Sequence, residues 1–331
     1  MLLLRLLALA TVLTWAPPCP ASEPSSGDPA RQSYADGWWT GPLLAASPGA
    51  LPRGHFLIEP YIYDVIVQGS YDAQGHKSSG AHTDNVRSLS YLIYGLTDQL
   101  SVGLLPRFGY NAGGNGTHSS SLQAGDLSLH AHYQFHRFRE HHWLPALAWV
   151  IEETLPTGRY DQLGNFPGNG LGAGVHATSL GLYSQRYFWT PNGRIMRTRL
   201  DVTYTHSDSA QVRDVSVYGT QAGFRGHATP GDSIDVDSAW EYSLSQRWVL
   251  ALDIDYQRSA STHVMGRNDA GGGSPTPVSI SSGPSTAWSL APAVEYNWNA
   301  NVGVIVGTKL VVAGRNTSAL VIPAVAINWV R

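Results

Sequence analysis

The sequence predicts an all-β protein, a transmembrane antiparallel up-and-down β-barrel of about 12 strands (range about 10–14). Three observations predict it. Apolar and polar residues alternate with period two over many segments. The connections between those segments alternate between short and long. Beyond the first residues no segment approaches about 18 uninterrupted apolar residues, the length a membrane-crossing helix needs. Strands cross a bilayer only as a closed barrel, because lipid leaves no unpaired backbone N–H or C=O satisfied.

The alternation is clearest at Asp126 to Phe135, where Leu127, Leu129, Ala131, Tyr133 and Phe135 share one face and Asp126, Ser128, His130, His132 and Gln134 share the other. Met196, Leu200, Val202 and Tyr204 alternate with Arg197, Arg199, Asp201 and Thr203. Ile234, Val236, Trp240 and Tyr242 alternate with Asp235, Asp237 and Glu241. Trp248, Leu250, Leu252, Ile254 and Tyr256 alternate with Ala251, Asp253, Asp255 and Gln257, and Trp288, Leu290, Val294 and Tyr296 with Ser289, Ala291, Glu295 and Asn297. Such strict alternation is a strand signal. Twelve strands follow, at 55–66, 86–97, 99–110, 122–136, 143–154, 173–189, 194–206, 232–244, 247–258, 286–297, 301–314 and 318–330. Segment 86–97 is mixed, and 301–314 is apolar on both faces around Lys309.

Short turns fall at 97–99, 137–142, 190–193, 244–246 and 298–300, and long Gly/Ser/Asn/Asp-rich loops at 67–85, 111–121, 155–172, 207–231 and 259–285. This is the short-periplasmic, long-extracellular pattern of outer-membrane barrels. The long loops are expected to be flexible surface segments. The last connection, 315–317, is short where the scheme wants a long one. Trp143, Trp149, Tyr187, Phe188, Trp189, Trp240, Trp248, Trp288, Trp298 and Trp329 lie near strand ends, where interfacial girdles need amphipathic rings. A soluble sandwich would use them as core, but must then explain strands of this length and the paired loop lengths.

Composition agrees. Only 14% of the 331 residues are charged, against about 25% in a typical soluble domain. Residues 1–21 read as a signal peptide: Arg5 within an apolar run to about Ala16, a stop at Pro17 and Pro18, and small residues before a cut after about Ala21. A helical anchor is too short for a bilayer, and a lipoprotein signal at Cys19 conflicts with Pro18. Cleavage removes the only cysteine and Arg5, so the formal charge moves from −3 to −4. No disulfide, thiol chemistry or nucleic-acid partner is expected. Asn115-Gly116-Thr117 and Asn316-Thr317-Ser318 match the glycosylation pattern and read as loop sequence. Residues 22–54, with Pro42, Pro48 and Pro52, are expected to be irregular, either plugging the barrel or hanging in the periplasm. The barrel domain is 55–331.

Trp39-Thr40-Gly41-Pro42-Leu43-Leu44, Leu51-Pro52-Arg53-Gly54-His55 and Ile58-Glu59-Pro60-Tyr61 resemble the opening segment of the transporter-like outer-membrane proteins associated with the meta-pathway of phenol degradation. Tyr94-Gly95-Leu96-Thr97-Asp98-Gln99-Leu100-Ser101 resembles their first hairpin, and Gly125-Asp126-Leu127-Ser128-Leu129 their next inner-turn strand. Leu155-Pro156-Thr157-Gly158 and Glu241-Tyr242-Ser243-Leu244 resemble later signatures. The resemblance covers roughly 39–330, and the order of its short motifs is more specific than any one of them. It implies an outer-membrane channel or transporter for hydrophobic or aromatic compounds, with no catalytic residue to carry over. The chain departs from the usual aromatic C-terminus, ending Asn328-Trp329-Val330-Arg331.

In a barrel the polar face points into the lumen. The expected lumen-lining residues are Glu59, Asp126, His130, His132, Arg197, Arg199, Asp201, Asp235, Asp237, Glu241, Asp253, Asp255 and Glu295. Opposite charges on neighbouring strands would pair and compact the interior; alternatively they tune selectivity. His130 and His132 share a face roughly 6.5–7 Å apart. A third ligand is not identifiable from the sequence, and no metal or other cofactor is expected. The His-rich stretch 136–142 reads as a solvated turn. Gly164 to Gly174 does not join a strand to a helix and is no phosphate cradle. No Gly-x-Ser-x-Gly or His-Glu-x-x-His pattern occurs. The lipid-facing wall also lacks the Ser–His pair of outer-membrane phospholipases, so no enzyme is expected. Three functions remain to be weighed. A monomeric channel passing a small solute would show flux, a plugged structural or adhesion barrel would not, and a barrel hydrolase would react with serine-directed labels.

Overall fold

The computed structural model describes residues 31–113, 118–269 and 274–331. The expected leader, 1–21, and the Asn115 motif lie outside them. Twelve antiparallel strands close into one barrel. They are β1 (Phe56–Asp64 continued by Ile66–Tyr71), β2 (Lys77–Thr83 continued by Asn85–Gly95), β3 (Leu100–Leu105 continued by Arg107–Asn111), β4 (Gln123–Ala124 and Leu127–His136), β5 (Ala146–Leu155) and β6 (Ala177–Trp189). Then follow β7 (Ile195–Ser207), β8 (Ser233–Ser243), β9 (Trp248–Ser259), β10 (Ser285–Asn299), β11 (Val302–Arg315) and β12 (Thr317–Val330). Each pairs with the next, and β1 also pairs with β12, from Leu57 opposite Val330 to Tyr63 opposite Ala324. That ladder removes the free edges, as lipid requires.

The period-two pattern decides which way side chains point. Trp149, Ile151, Leu180 and Leu250 face outward and are 55%, 50%, 51% and 44% exposed. Asp253, Glu241 and Glu295 face inward and are 0% exposed. An outward Leu252→Arg on β9 is expected to cost about 2–4 kcal/mol near the bilayer midplane. A lowered urea midpoint in vesicles would report it, and an unchanged midpoint would place Leu252 off the lipid face. Alternation also corrects the aromatic reading at one place. Tyr187 and Trp189 stand on the inward face of β6, in register with Arg197 and Ile195, so they are not part of a girdle.

Three loops expected to be flexible hold strands instead. Region 67–85 is the end of the β1–β2 hairpin, turned over Asp72 to His76. Regions 207–231 and 259–285 hold Ala210–Arg213, Phe224–Thr229, His263–Asn268 and Thr276–Ser281, which pair into a four-stranded outer sheet. Its ladders keep the register of β7–β10 below: Thr205 opposes Ser233, and Ala210 opposes Ala228 on the same diagonal. The reason is burial. Ala210, Val212, Phe224, Ala228 and Val264 bury one face of this sheet against Val175, Tyr160 and Tyr218, so Gly- and Ser-rich composition misled. The short β11–β12 connection turns on Asn316, at φ 47°, a left-handed conformation that Asn tolerates better than most residues.

Candidate functional site

The lumen is crossed by the chain's own N-terminal segment. Residues 31–54 contain one short 3₁₀ turn, Tyr34–Asp36. Elsewhere their backbone amides have no strand to pair with, so luminal side chains satisfy them. Going inward, Trp38 N–H donates to Gln246 O (3.0 Å) and Asn297 Nδ2 to Trp38 O (3.2 Å). Glu295 accepts from the amides of Thr40 (2.7 Å) and Gly41 (3.1 Å). Asp253 accepts from those of Leu43 (3.1 Å), Leu44 (3.3 Å) and Ala45 (3.0 Å). Asp201 accepts from Ala46 N–H at 2.8 Å, and Arg199 Nη1 donates to Ala45 O at 2.7 Å. On the far wall His132 Nε2 meets Pro48 O (2.9 Å), Gln134 accepts from Ala50 and Ser101 from Leu51. The segment leaves at Gly54, whose N–H donates to Gly95 O (2.8 Å).

Apolar and aromatic contacts complete the seat. Leu43 packs on Ala251, Ala291, Ala293, Ile305 and Ala326, where small inward residues leave room for it. Gly303 serves the same end, because a Cβ there would overlap Thr40 Oγ1. The Arg197 guanidinium lies 4.5 Å from the Trp39 ring and Arg31 3.7 Å from Trp189. Tyr34 sits edge-on between Tyr187 (5.1 Å) and Trp189 (4.8 Å), and burial pushes its phenol up to about 12. The Ser33 hydroxyl and amide hold the Asp36 carboxyl below its ordinary value.

Twelve of the thirteen expected residues stand at inward strand positions in different roles, and Asp126 sits between the two segments of β4 at the rim. Glu295, Asp253, Asp201, Arg199 and His132 hold the segment. Glu241 receives a two-pronged bond from Arg197 and lies 3.6 Å from Arg199 Nε. Asp255 pairs with Lys309 at 2.7 Å. Asp237 stands directly across from Asp201 on β7 and Asp255 on β9, and Asp235 one step outward across from Gln257. Glu59 is near Asn328 and Tyr61 on the β12 side. Asp126 accepts from Gly158 (2.8 Å) and Ala173 (2.7 Å), tying the 155–172 loop to the outer rim. The histidine pair is divided: His130 lies 4.0 Å from Glu152 while His132 turns to Pro48. No group of three or more His, Cys, Asp or Glu among the described residues is arranged to hold a metal.

Sequence reasoning missed Arg107 and Glu152, which pair at 3.2 Å inside the barrel, and the anchor Ser101; it put Gln134 and Asn297 on the polar face without naming them as candidates. Parity counted from outward Trp149 and Ile151 would have placed Glu152 inside; adjacent Glu153 blurred it. Nothing in the sequence marks backbone amides as ligands of Asp253. Asp253→Ala removes the acceptor of three amides, each bond being worth about 1.5–3 kcal/mol when the acceptor is charged. Hydrogen exchange at Leu43–Ala45 should then accelerate while strand amides stay protected; unchanged exchange would contradict the assignment.

No protein-family model matches the sequence, and no curated protein matches it. Among solved structures, an outer membrane channel from Pseudomonas putida is similar in fold, with a TM-score of 0.62 at 16% identity over 86% of this chain and 98% of that one. The fold is that of an outer-membrane barrel. More distant is the P. putida toluene transporter TodX, with a TM-score of 0.36 at 12% identity over 89% of this chain and 95% of that one. The translocator domain of the autotransporter NalP from Neisseria meningitidis stands at 0.42 and 12%, over 84% and 89%.

Proposed function

We propose that the chain is an outer-membrane channel, or transporter-like protein, that passes a small solute through a lumen narrowed by its own N-terminal segment. The observation that carries this reading is a segment poor in secondary structure, held across a polar interior mainly by side-chain hydrogen bonds. Such contacts are separable from the strand ladders, so the segment can shift while the barrel stays closed. Export by a leader cleaved after about Ala21, lipid around the apolar wall and a monomeric state belong to the same reading. No catalysis is assigned to it.

The resemblance to proteins of the phenol meta-pathway supports a hydrophobic or aromatic solute. Inward-facing Tyr61, Tyr91 and Tyr183 offer ring faces to one; Tyr61 and Tyr91 lie edge to face at 6.0 Å. The charged members of the inward set would then orient the polar end of the solute. Purified barrel in planar bilayers should show discrete conductance steps that phenol or benzoate interrupts. No flux across a solute panel, with the segment present or deleted, would overturn the reading. The filled lumen and the outer sheet with its own apolar core would then favour a plugged structural barrel that binds a partner outside the membrane.

A further inference from the structure

The outer sheet has a second face, opposite the one packed on Val175 and Tyr160. Arg213 stands directly across from Arg225, and Arg225 directly across from Arg267. Neighbouring strands lie about 4.8 Å apart, so the row spans about 10 Å. In the next row His227 stands across from Met265, which is 65% exposed, and one row further His263 follows. The strand residues of this face include no Asp or Glu. Like charges directly opposite on neighbouring strands destabilise a sheet, yet here three are aligned.

Nearby acids compensate in part. Asp269 lies 3.5 Å from Arg267 and 3.9 Å from Arg225. Asp161 accepts from the Arg213 amide and Asp214 from the Gly223 amide, so both are engaged by backbone at the edge. The guanidiniums of Arg225 and Arg267 stay well exposed, their side chains at 65% and 63%. The row also borders a concave surface of about 530 Å³ that includes all three arginines, His227 and Met265.

We propose that this face binds the phosphorylated saccharide headgroups of the outer-leaflet lipid. Arginine forks match phosphate oxygens in two-pronged bonds, and a row of three suits several phosphates on one headgroup. Position selects the lipid as the source. The sheet continues β7–β10 in register, and those strands carry Tyr204, Ile254 and Trp288 on the apolar outer wall. Strands that continue this wall beyond the hydrocarbon enter the headgroup layer first, and the arginine face is the exposed one, turned away from the Tyr160 and Val175 packing. The inference rests on the outer-membrane reading, but its test does not depend on solute passage.

The full barrel in detergent micelles would be titrated at low salt with lipopolysaccharide carrying its lipid phosphates, with the dephosphorylated form, and with a soluble phosphorylated core saccharide. The variant Arg213→Gln/Arg225→Gln/Arg267→Gln changes exposed side chains only, and heat-modifiable gel mobility reports that it remains folded. Binding of the phosphorylated lipid is expected to weaken by about tenfold or more in the variant, and with rising salt. Equal affinity of variant and parent, or of the dephosphorylated lipid, would overturn the proposal. Equal affinity for the free saccharide would also overturn it, replacing the lipid by a soluble polyanion. If vesicle insertion failed while phosphate-dependent binding persisted, the membrane reading would fall rather than the anion site.

Discussion

Replacing Glu241 with alanine is expected to destabilise the folded barrel by about 3–5 kcal/mol, the cost of stranding buried charge. Glu241 is fully buried and meets two guanidiniums, Arg197 and Arg199, whose side chains are 7% and 5% exposed. Arg199 would keep Gln185 at 3.0 Å and Ala45 O. Arg197 would keep the Trp39 ring and the more distant Glu295 carboxylate, neither of which replaces the two-pronged bond. The loss would therefore spread to the N-terminal segment through both arginines. Glu241→Gln should cost less, because its amide oxygen still accepts. Tryptophan fluorescence during urea unfolding in vesicles would measure both. A midpoint unchanged in Glu241→Ala would mean that the arginines reach water in the folded protein.

Deleting residues 31–51 is expected to raise single-channel conductance severalfold, with strand pairing intact. The segment spans the lumen from Gln246 and Glu295 on one wall to His132, Gln134 and Ser101 on the other. Its removal leaves Asp253, Glu295 and Asp201 facing solvent in a widened path. Hydrated carboxylates favour cations in such a pore, so the enlarged current should also be cation-selective. The β1–β12 closure involves none of the deleted residues, with Leu57 opposite Val330, and circular dichroism should stay that of a β-protein. Conductance no greater than that of the parent would show that the segment does not obstruct passage.

The barrel was legible because lipid imposes one pattern on every strand. Each of the twelve sequence-derived segments coincides with a strand, including 301–314, whose apolar residues on both faces are explained by the neighbours of each. Lys309 turns inward to Asp255, and Ile305 packs where Leu43 sits. The outer sheet was not legible. Its strands lie among Gly, Pro, Ser and Asp, and its apolar face is covered by Tyr160 and Val175 from an earlier loop and by Tyr218 from the connection between its own first two strands. The site was half legible. Alternation found the inward charges but not what they hold, because the partners are backbone amides of residues 40–46, which carry no side-chain signature. Pro42, Pro48 and Pro52 signalled only that this stretch is not a strand.

Cysteine cross-linking tests the central claim most directly, since the chain's single cysteine, Cys19, lies far from the barrel in sequence, within the stretch expected to be a leader. Leu43→Cys with Ala291→Cys, in barrel folded in detergent and mildly oxidised, should form an internal disulfide that shifts gel mobility and lowers conductance further. If instead the thiol introduced at position 43 stays free and reacts at once with a bulky water-soluble maleimide, the N-terminal segment lies outside the lumen, contrary to the seat described for Leu43.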